Sequence, residues 1–178
     1  MIETMLKDLR KDMALKFYNI PALWSDEHTK LDYFKKPISD TLIQKWREMG
    51  YTHENHNGLL YDQSENRVLP LFTDQIAQNF QRLKNIGFAF YKMEQMTIMP
   101  PHVDEYESYS KIFNVDPKDV IRVLIFLEDW QPGHYFEIDR KPFVGWKAGA
   151  CVEWTSEEHS AANIGIIPRY TLQLTGHV

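Results

Sequence analysis

The stretch 87–104, GFAFYKMEQMTIMPPHVD, decides how this chain folds. Apolar and aromatic residues crowd positions 87–99, which reads as one long strand or two broken ones. Pro100 and Pro101 carry no backbone N–H for a ladder, so they are expected to end the strand just before His102. In extended backbone alternate side chains share a face, so His102 and Asp104 point one way and Val103 the other. One strand end thus presents an imidazole and a carboxylate side by side.

Further short apolar runs follow. DVIRVLIFLEDW (119–130) reads as a buried strand and HYFEID (134–139) as an edge-like one. FVGWKAGACVEW (143–154) reads as two short strands around a Gly-rich turn, and RYTLQLTG (169–176) alternates with a period of two. Upstream of residue 86 the character is mixed or helical. Ser39 is an expected N-cap for DTLIQKWREM, in which Leu42, Ile43, Trp46 and Met49 share a face and Gly50 follows as a stop, so this helix should pack on a sheet. A second amphipathic stretch runs from Thr73, its expected cap, to Leu83 and groups Ile76, Phe80 and Leu83. Many short strands after helices predict a mainly β fold, a double-stranded β-helix or jelly roll of the cupin kind, with helices buttressing one sheet. Residues 1–178 are expected to form one domain, with 1–85 as support and 86–178 as the β core.

Two imidazoles and one carboxylate are the donor set of a facial Fe(II) site, which leaves the opposite positions for a bidentate cosubstrate and dioxygen. The second imidazole must come from a distant segment folded back alongside, and His159 stands just before a strand-like run, 164–174. Arg169 in that run can reach deeper into the same cavity. A guanidinium there pairs in bidentate fashion with the far carboxylate of a dicarboxylic acid whose other end chelates the metal, which describes 2-oxoglutarate. A single histidine is more often a surface or satisfied core residue than a ligand. His28, His53, His56, His134 and His177 have no comparable partners, and His53 with His56 in YTHENHNG reads as a solvated loop in preference to a second metal pair. It is the ordered set His102, Asp104, His159, Arg169 that points to a metal and cosubstrate site.

The segments MPPHVDEY (99–106), IRVLIFLEDW (121–130), GWKAGACVEWTSEEHSAANIG (145–165) and PRYTLQLTG (168–176) resemble the core of the Fe(II)- and 2-oxoglutarate-dependent oxygenases, in their prolyl-hydroxylase-like and aspartyl-hydroxylase-like part. The resemblance spans 86–176 and implies the jelly-roll fold. It also implies that His102, Asp104 and His159 bind iron and that Arg169 anchors 2-oxoglutarate. Thr171 stands where some relatives carry the Ser of an R-x-S pattern, and shares a strand face with Arg169 and Gln173. Tyr91 lies where related enzymes place a tyrosine on the cosubstrate, although ordinary core packing explains it equally well. Arg122, a charge in an apolar strand, either reaches a carboxylate in the cavity or pairs with an Asp or Glu.

Other residues read as structural. Trp130, Trp146 and Trp154 are assigned to the core, and Asn163 and Gly165 to the turn that presents His159. The polar and aromatic loop 103–119, VDEYESYSKIFNVDPKD, suits a lid or an ordinary surface excursion alike. A lone cysteine, Cys151, excludes an internal disulfide and suits a reducing compartment. The first 18 residues hold no apolar leader core, and nowhere do 18 apolar residues run together, so a soluble, cytoplasmic protein without membrane association is expected. A net charge of −5 without a basic cluster argues against nucleic acid as partner.

The leading functional expectation is a dioxygenase using Fe(II), 2-oxoglutarate and dioxygen to hydroxylate a peptidyl or amino-acid side chain or a free small molecule, with succinate and CO2 released. A cupin-like metal protein with non-oxidative chemistry, and a non-catalytic ligand-binding barrel, are the alternatives.

Overall fold

The structure is a computed structural model that describes residues 16–19, 26–35, 38–51, 58–61 and 78–178. Its fold is the mainly β double-stranded β-helix, built as two antiparallel sheets laid face to face. The larger sheet holds seven strands, β1 (Lys16–Asn19), β2 (Tyr33–Lys35), β3 (Gly58–Tyr61), β4 (Lys84–Met93), β6 (Val120–Phe126), β9 (Ala150–Trp154) and β11 (Arg169–His177), in the order β1-β9-β6-β11-β4-β3-β2. The smaller holds β5 (Thr97–His102), β7 (His134–Ile138), β8 (Lys141–Phe143) and β10 (His159–Asn163), in the order β5-β10-β7-β8. Two α-helices are described, α1 (Asp40–Glu48) and α2 (Glu107–Phe113).

The period-two pattern gives the larger sheet two different faces. Ile121, Val123 and Ile125 of β6 join Leu172 and Leu174 of β11, Phe90 of β4 and Cys151 of β9 in one buried cluster that Phe80 and Leu83 cover from outside. The intervening residues face the small sheet, where Met93, Leu124, Phe126, Val152 and Trp154 meet Phe136, Ile138 and Ala161. Trp146 stacks on Phe126 at 3.9 Å between ring centroids, which places it in the core as expected. Among the described residues, no helix is long and apolar enough to cross a membrane.

Several sequence expectations are corrected by this architecture. Pro100 and Pro101 do not end the ladder, because β5 continues through His102. As β5 is the edge of its sheet, two missing N–H groups cost it little. The two prolines lie at a register shift: His159 pairs with His102 and Ala161 with Met99, so β5 carries one extra residue between the two pairs. HYFEID is not an edge strand, since β7 lies between β10 and β8. The run 164–174 is not one strand either. His159 begins its own strand, and Ile164, Ile166 and Ile167 form an exposed turn before β11. That turn is held by Asn163, whose amide donates to the carbonyls of Met93 and Ile167 and whose Oδ1 accepts from Gly165 N–H, so it presents Arg169 and not His159. A Cβ on Gly165 would lie 2.3 Å from the Pro132 carbonyl oxygen, which requires glycine there.

Helix α1 starts as read, with Ser39 accepting from Leu42 N–H and Gly50 following at φ +92°. Its apolar face is narrower than expected: Trp46 is fully buried, Met49 is exposed, and the helix docks on the edge strand β5 instead of a sheet face. The stretch beginning at Thr73 lies mostly outside the described residues, as do His53 and His56. Residues 78–79 are helical, and Phe80 and Leu83 are buried as the pattern requires.

Candidate metal centre

Antiparallel pairing brings the two imidazoles together. His102 and His159 are direct partners across β5 and β10, with ring centroids 4.3 Å apart. Met99 lines the inner cavity, so in an unbroken strand His102, three residues on, would face outward. The extra residue at the proline pair restores its parity and turns it inward, the re-aiming role that bulges play beside functional sites. Asp104 follows two residues later, and one ligand atom from each of His102, Asp104 and His159 lies within 4.8 Å of the others.

The hydrogen bonds settle how each group is presented. Nδ1 of His102 lies 2.8 Å from the Pro100 carbonyl and Nδ1 of His159 lies 3.1 Å from that of Glu157. A carbonyl only accepts, so each Nδ1 carries a proton and each Nε2 is the ring atom left to offer a metal. Burial, and then the neighbouring His102, push His159 down to about 4, so it is uncharged near neutral pH. Burial alone would raise the Asp104 carboxyl, but Arg122, His159 and His102 together outweigh it and hold the group below its usual range. The indole N–H of Trp154 acts in the same direction, although it is buried without a hydrogen bond of standard geometry. Asp104 Oδ2 lies 3.7 Å from His159 Nε2 and 3.5 Å from Arg122, and is itself buried without a hydrogen bond. A carboxylate and two imidazole nitrogens grouped in this way are an oxygen and nitrogen donor set that fits a divalent first-row metal.

Behind this cluster a cavity of about 120 Å³ runs between the sheets, and His102, Asp104, His159, Arg169, Thr171, Tyr91 and Arg122 all border it. Thr171 pairs with Tyr91 on one side and Phe126 on the other, which brings its hydroxyl into the same space. Gln173 lines it too, so the expected shared face of β11 is present. Arg122 pairs with Thr175, six residues along β11 from Arg169, so the two guanidiniums belong to opposite ends of these strands. Arg122 meets Asp104, one of the two expected alternatives, and lies 5.0 Å over the Tyr106 ring. Arg169 is different. It is buried, and one of its NH groups donates to the Tyr135 carbonyl at 2.7 Å. Its Nε has no partner, and no carboxylate pairs with it among the described residues. Burial lowers it to about 10, still charged at neutral pH.

A second hollow, an open groove of about 680 Å³, reaches His102 and Asp104 from the other side, between α1 and the chain around Val103 and Glu105. The loop after Asp104 is tied down at two tyrosines. Tyr106 donates to the Thr155 carbonyl at 2.6 Å and Tyr109 to that of Asn85 at 2.9 Å, so α2 is fastened across the barrel end. The sequence pattern singles out neither Tyr106 nor the places of Trp46 and Trp154 beside the cluster. Trp46 is legible as an apolar helix position, but nothing in the one-dimensional pattern says which strand it meets.

The sequence matches no family model and no curated protein. Among solved structures, the fold is similar to that of an oxidoreductase of the 2OG-Fe(II) oxygenase family from Burkholderia pseudomallei, at TM-score 0.58 and 12% identity, covering 94% of this chain and 86% of that one. It is also similar to a prolyl-4-hydroxylase from Pseudomonas putida, at TM-score 0.54 and 15% identity, covering 92% of each chain. At these identities the likeness establishes the shared jelly-roll fold.

Proposed function

We propose that this protein is a non-haem Fe(II)- and 2-oxoglutarate-dependent dioxygenase that hydroxylates a peptidyl or amino-acid side chain, releasing succinate and CO2. The observation that carries the reading is Arg169, a buried guanidinium that meets no carboxylate among the described residues, opening onto the same cavity as the His102, Asp104 and His159 cluster. An unpaired buried charge is costly, and the missing partner is supplied naturally by an anionic ligand. The similarity of the fold to two proteins described as a 2OG-Fe(II) oxygenase and a prolyl-4-hydroxylase supports the same assignment.

His102, Asp104 and His159 would hold the metal on one face. Bound Fe(II) would supply dioxygen activation coupled to oxidative decarboxylation of the cosubstrate. Arg169 would clamp the far carboxylate, with the Thr171 hydroxyl and the Tyr91 phenol beside it. The inner cavity, about 120 Å³ and lined by Arg169, suits a small anionic ligand better than a polypeptide segment. The substrate side chain would therefore arrive by the outer groove along α1, and the apolar wall of Met99, Leu124, Phe136 and Trp154 would keep water from the inner cavity.

The test is an anaerobic titration of purified protein with Fe(II) and then 2-oxoglutarate, following the visible metal-to-ligand charge-transfer band, with Arg169→Ala beside the wild type. A saturable band that weakens in the variant, with succinate formed on admitting air, is the expected result. Iron bound without a band would favour the non-oxidative cupin-like alternative, and no metal binding would favour a receptor barrel.

A further inference from the structure

The side chain of Trp46 ties α1 to the place where β5 leaves regular register. Trp46 is completely buried although it belongs to a helix outside both sheets, and it is the one α1 residue that is. Its indole N–H donates to the Pro101 carbonyl at 3.0 Å, and its ring stands edge-on to the His102 imidazole, 5.9 Å between centroids at 80°. Pro101 lies within the irregular step between the His102–His159 and Met99–Ala161 pairs, and that step is what turns His102 inward. The two carbonyls of the step are thus both bound by side chains: Pro100 accepts from His102 itself and Pro101 from Trp46. One aromatic residue fixes both the backbone that re-aims the imidazole and the plane of its ring.

We propose that Trp46 is a positioning residue for His102, locking the Pro100–Pro101 bulge so that the Nε2 lone pair is already aimed before metal arrives. The proposal rests on the metal-binding reading above. It adds that metal affinity depends on a contact made by a helix that is no part of the barrel. Partners that orient a ligand from outside typically change metal affinity 10–100-fold.

Anaerobic Co(II) titration of wild type, His102→Ala, Trp46→Phe and Phe80→Leu separates the possibilities. Trp46→Phe keeps an aromatic ring and loses only the N–H donor. Phe80→Leu disturbs the outer core cluster away from the metal residues and controls for general loss of stability. The expected result is that Trp46→Phe binds Co(II) about tenfold more weakly with an altered visible d–d spectrum, whereas Phe80→Leu lowers Tm and leaves affinity and spectrum as in wild type. Wild-type affinity and an unchanged spectrum in Trp46→Phe would overturn the proposal while leaving the metal centre standing. Absence of Co(II) binding in wild type, or its survival in His102→Ala, would overturn the metal reading and this inference with it. If Trp46→Phe does not fold, hydrogen exchange of the wild-type indole N–H groups decides. Linkage is reciprocal, so a contact that favours metal binding must be strengthened by it. The Trp46 indole should exchange more slowly with Zn(II) than without, and equal exchange would refute the coupling.

Discussion

The two faces of the larger sheet are built from alternate residues of the same strands, yet they obey different rules. On the outer face Ile121, Val123, Ile125, Leu172 and Leu174 are all apolar and buried. On the inner face the same two strands carry Arg122, Thr171, Gln173 and a buried Arg169 among their apolar residues. The chemistry differs, and so in part does the burial, since Arg122 and Gln173 are only half-buried. On these two strands the outer face is apolar, whereas the inner one holds Arg122, which meets Asp104, and Arg169, whose guanidinium meets no carboxylate among the described residues. Along β6 and β11, the polar residues that line the cavity are therefore separable from the outer core cluster by the parity of a residue number.

The largest expected effect breaks the inner face alone. Asp104→Ala should abolish 2-oxoglutarate turnover and weaken metal binding beyond the roughly 100-fold typical for loss of an orienting partner, measured by Fe(II) titration and succinate assay. The folded state should survive, because Asp104 belongs to neither core cluster; an Asp104→Ala variant that still turns over 2-oxoglutarate would defeat the assignment. Next, Leu172→Ala on the outer face should cost about 2–5 kcal/mol by denaturant unfolding and leave metal affinity of the folded protein unchanged. A comparable fall in metal affinity would show that the two faces are not independent.

Arg169→Met sharpens the contrast, because it should weaken 2-oxoglutarate binding about 100-fold in the charge-transfer titration while leaving the metal-free protein as stable as wild type or slightly more so. A destabilised metal-free variant would mean that the hydrogen bond from Arg169 to the Tyr135 carbonyl outweighs the cost of burying the charge. The smallest effect is acid sensitivity. His159 is held at about 4 in the fold against about 6.5 in the unfolded chain, so between these values the unfolded state binds the extra proton and stability rises with pH. The metal-free protein should therefore lose stability as pH falls from 7 to 4, and His159→Gln should flatten that slope in parallel urea titrations.

Much of the inner face is legible in the sequence. The alternation in RYTLQLTG puts Arg169, Thr171 and Gln173 on one face, and all three line the cavity. The spacing of His102 and Asp104 places them together, and the geometry agrees. Alternation alone does not account for their direction, however. An ordinary β5 would aim His102 away from the side that Met99 lines, and the extra residue at the prolines that read as a stop restores its direction. The run 164–174 reads as a single strand because an apolar composition is shared by strands and by the exposed Ile164, Ile166 and Ile167. Composition does not reveal that Asn163 and Gly165 fold that segment into a turn.

The sequence by itself determined the mainly β class, the candidate donor set and its order, and the charge that a cosubstrate would neutralise, because side-chain chemistry and period-two alternation are local properties. Only the tertiary structure decided which strands are neighbours, that His102 and His159 are register partners, that Arg122 meets Asp104, and that Trp46 closes on Pro101. Those facts depend on pairing between residues far apart in the chain. That pairing is set by the burial of both sheets together, and no local pattern encodes it.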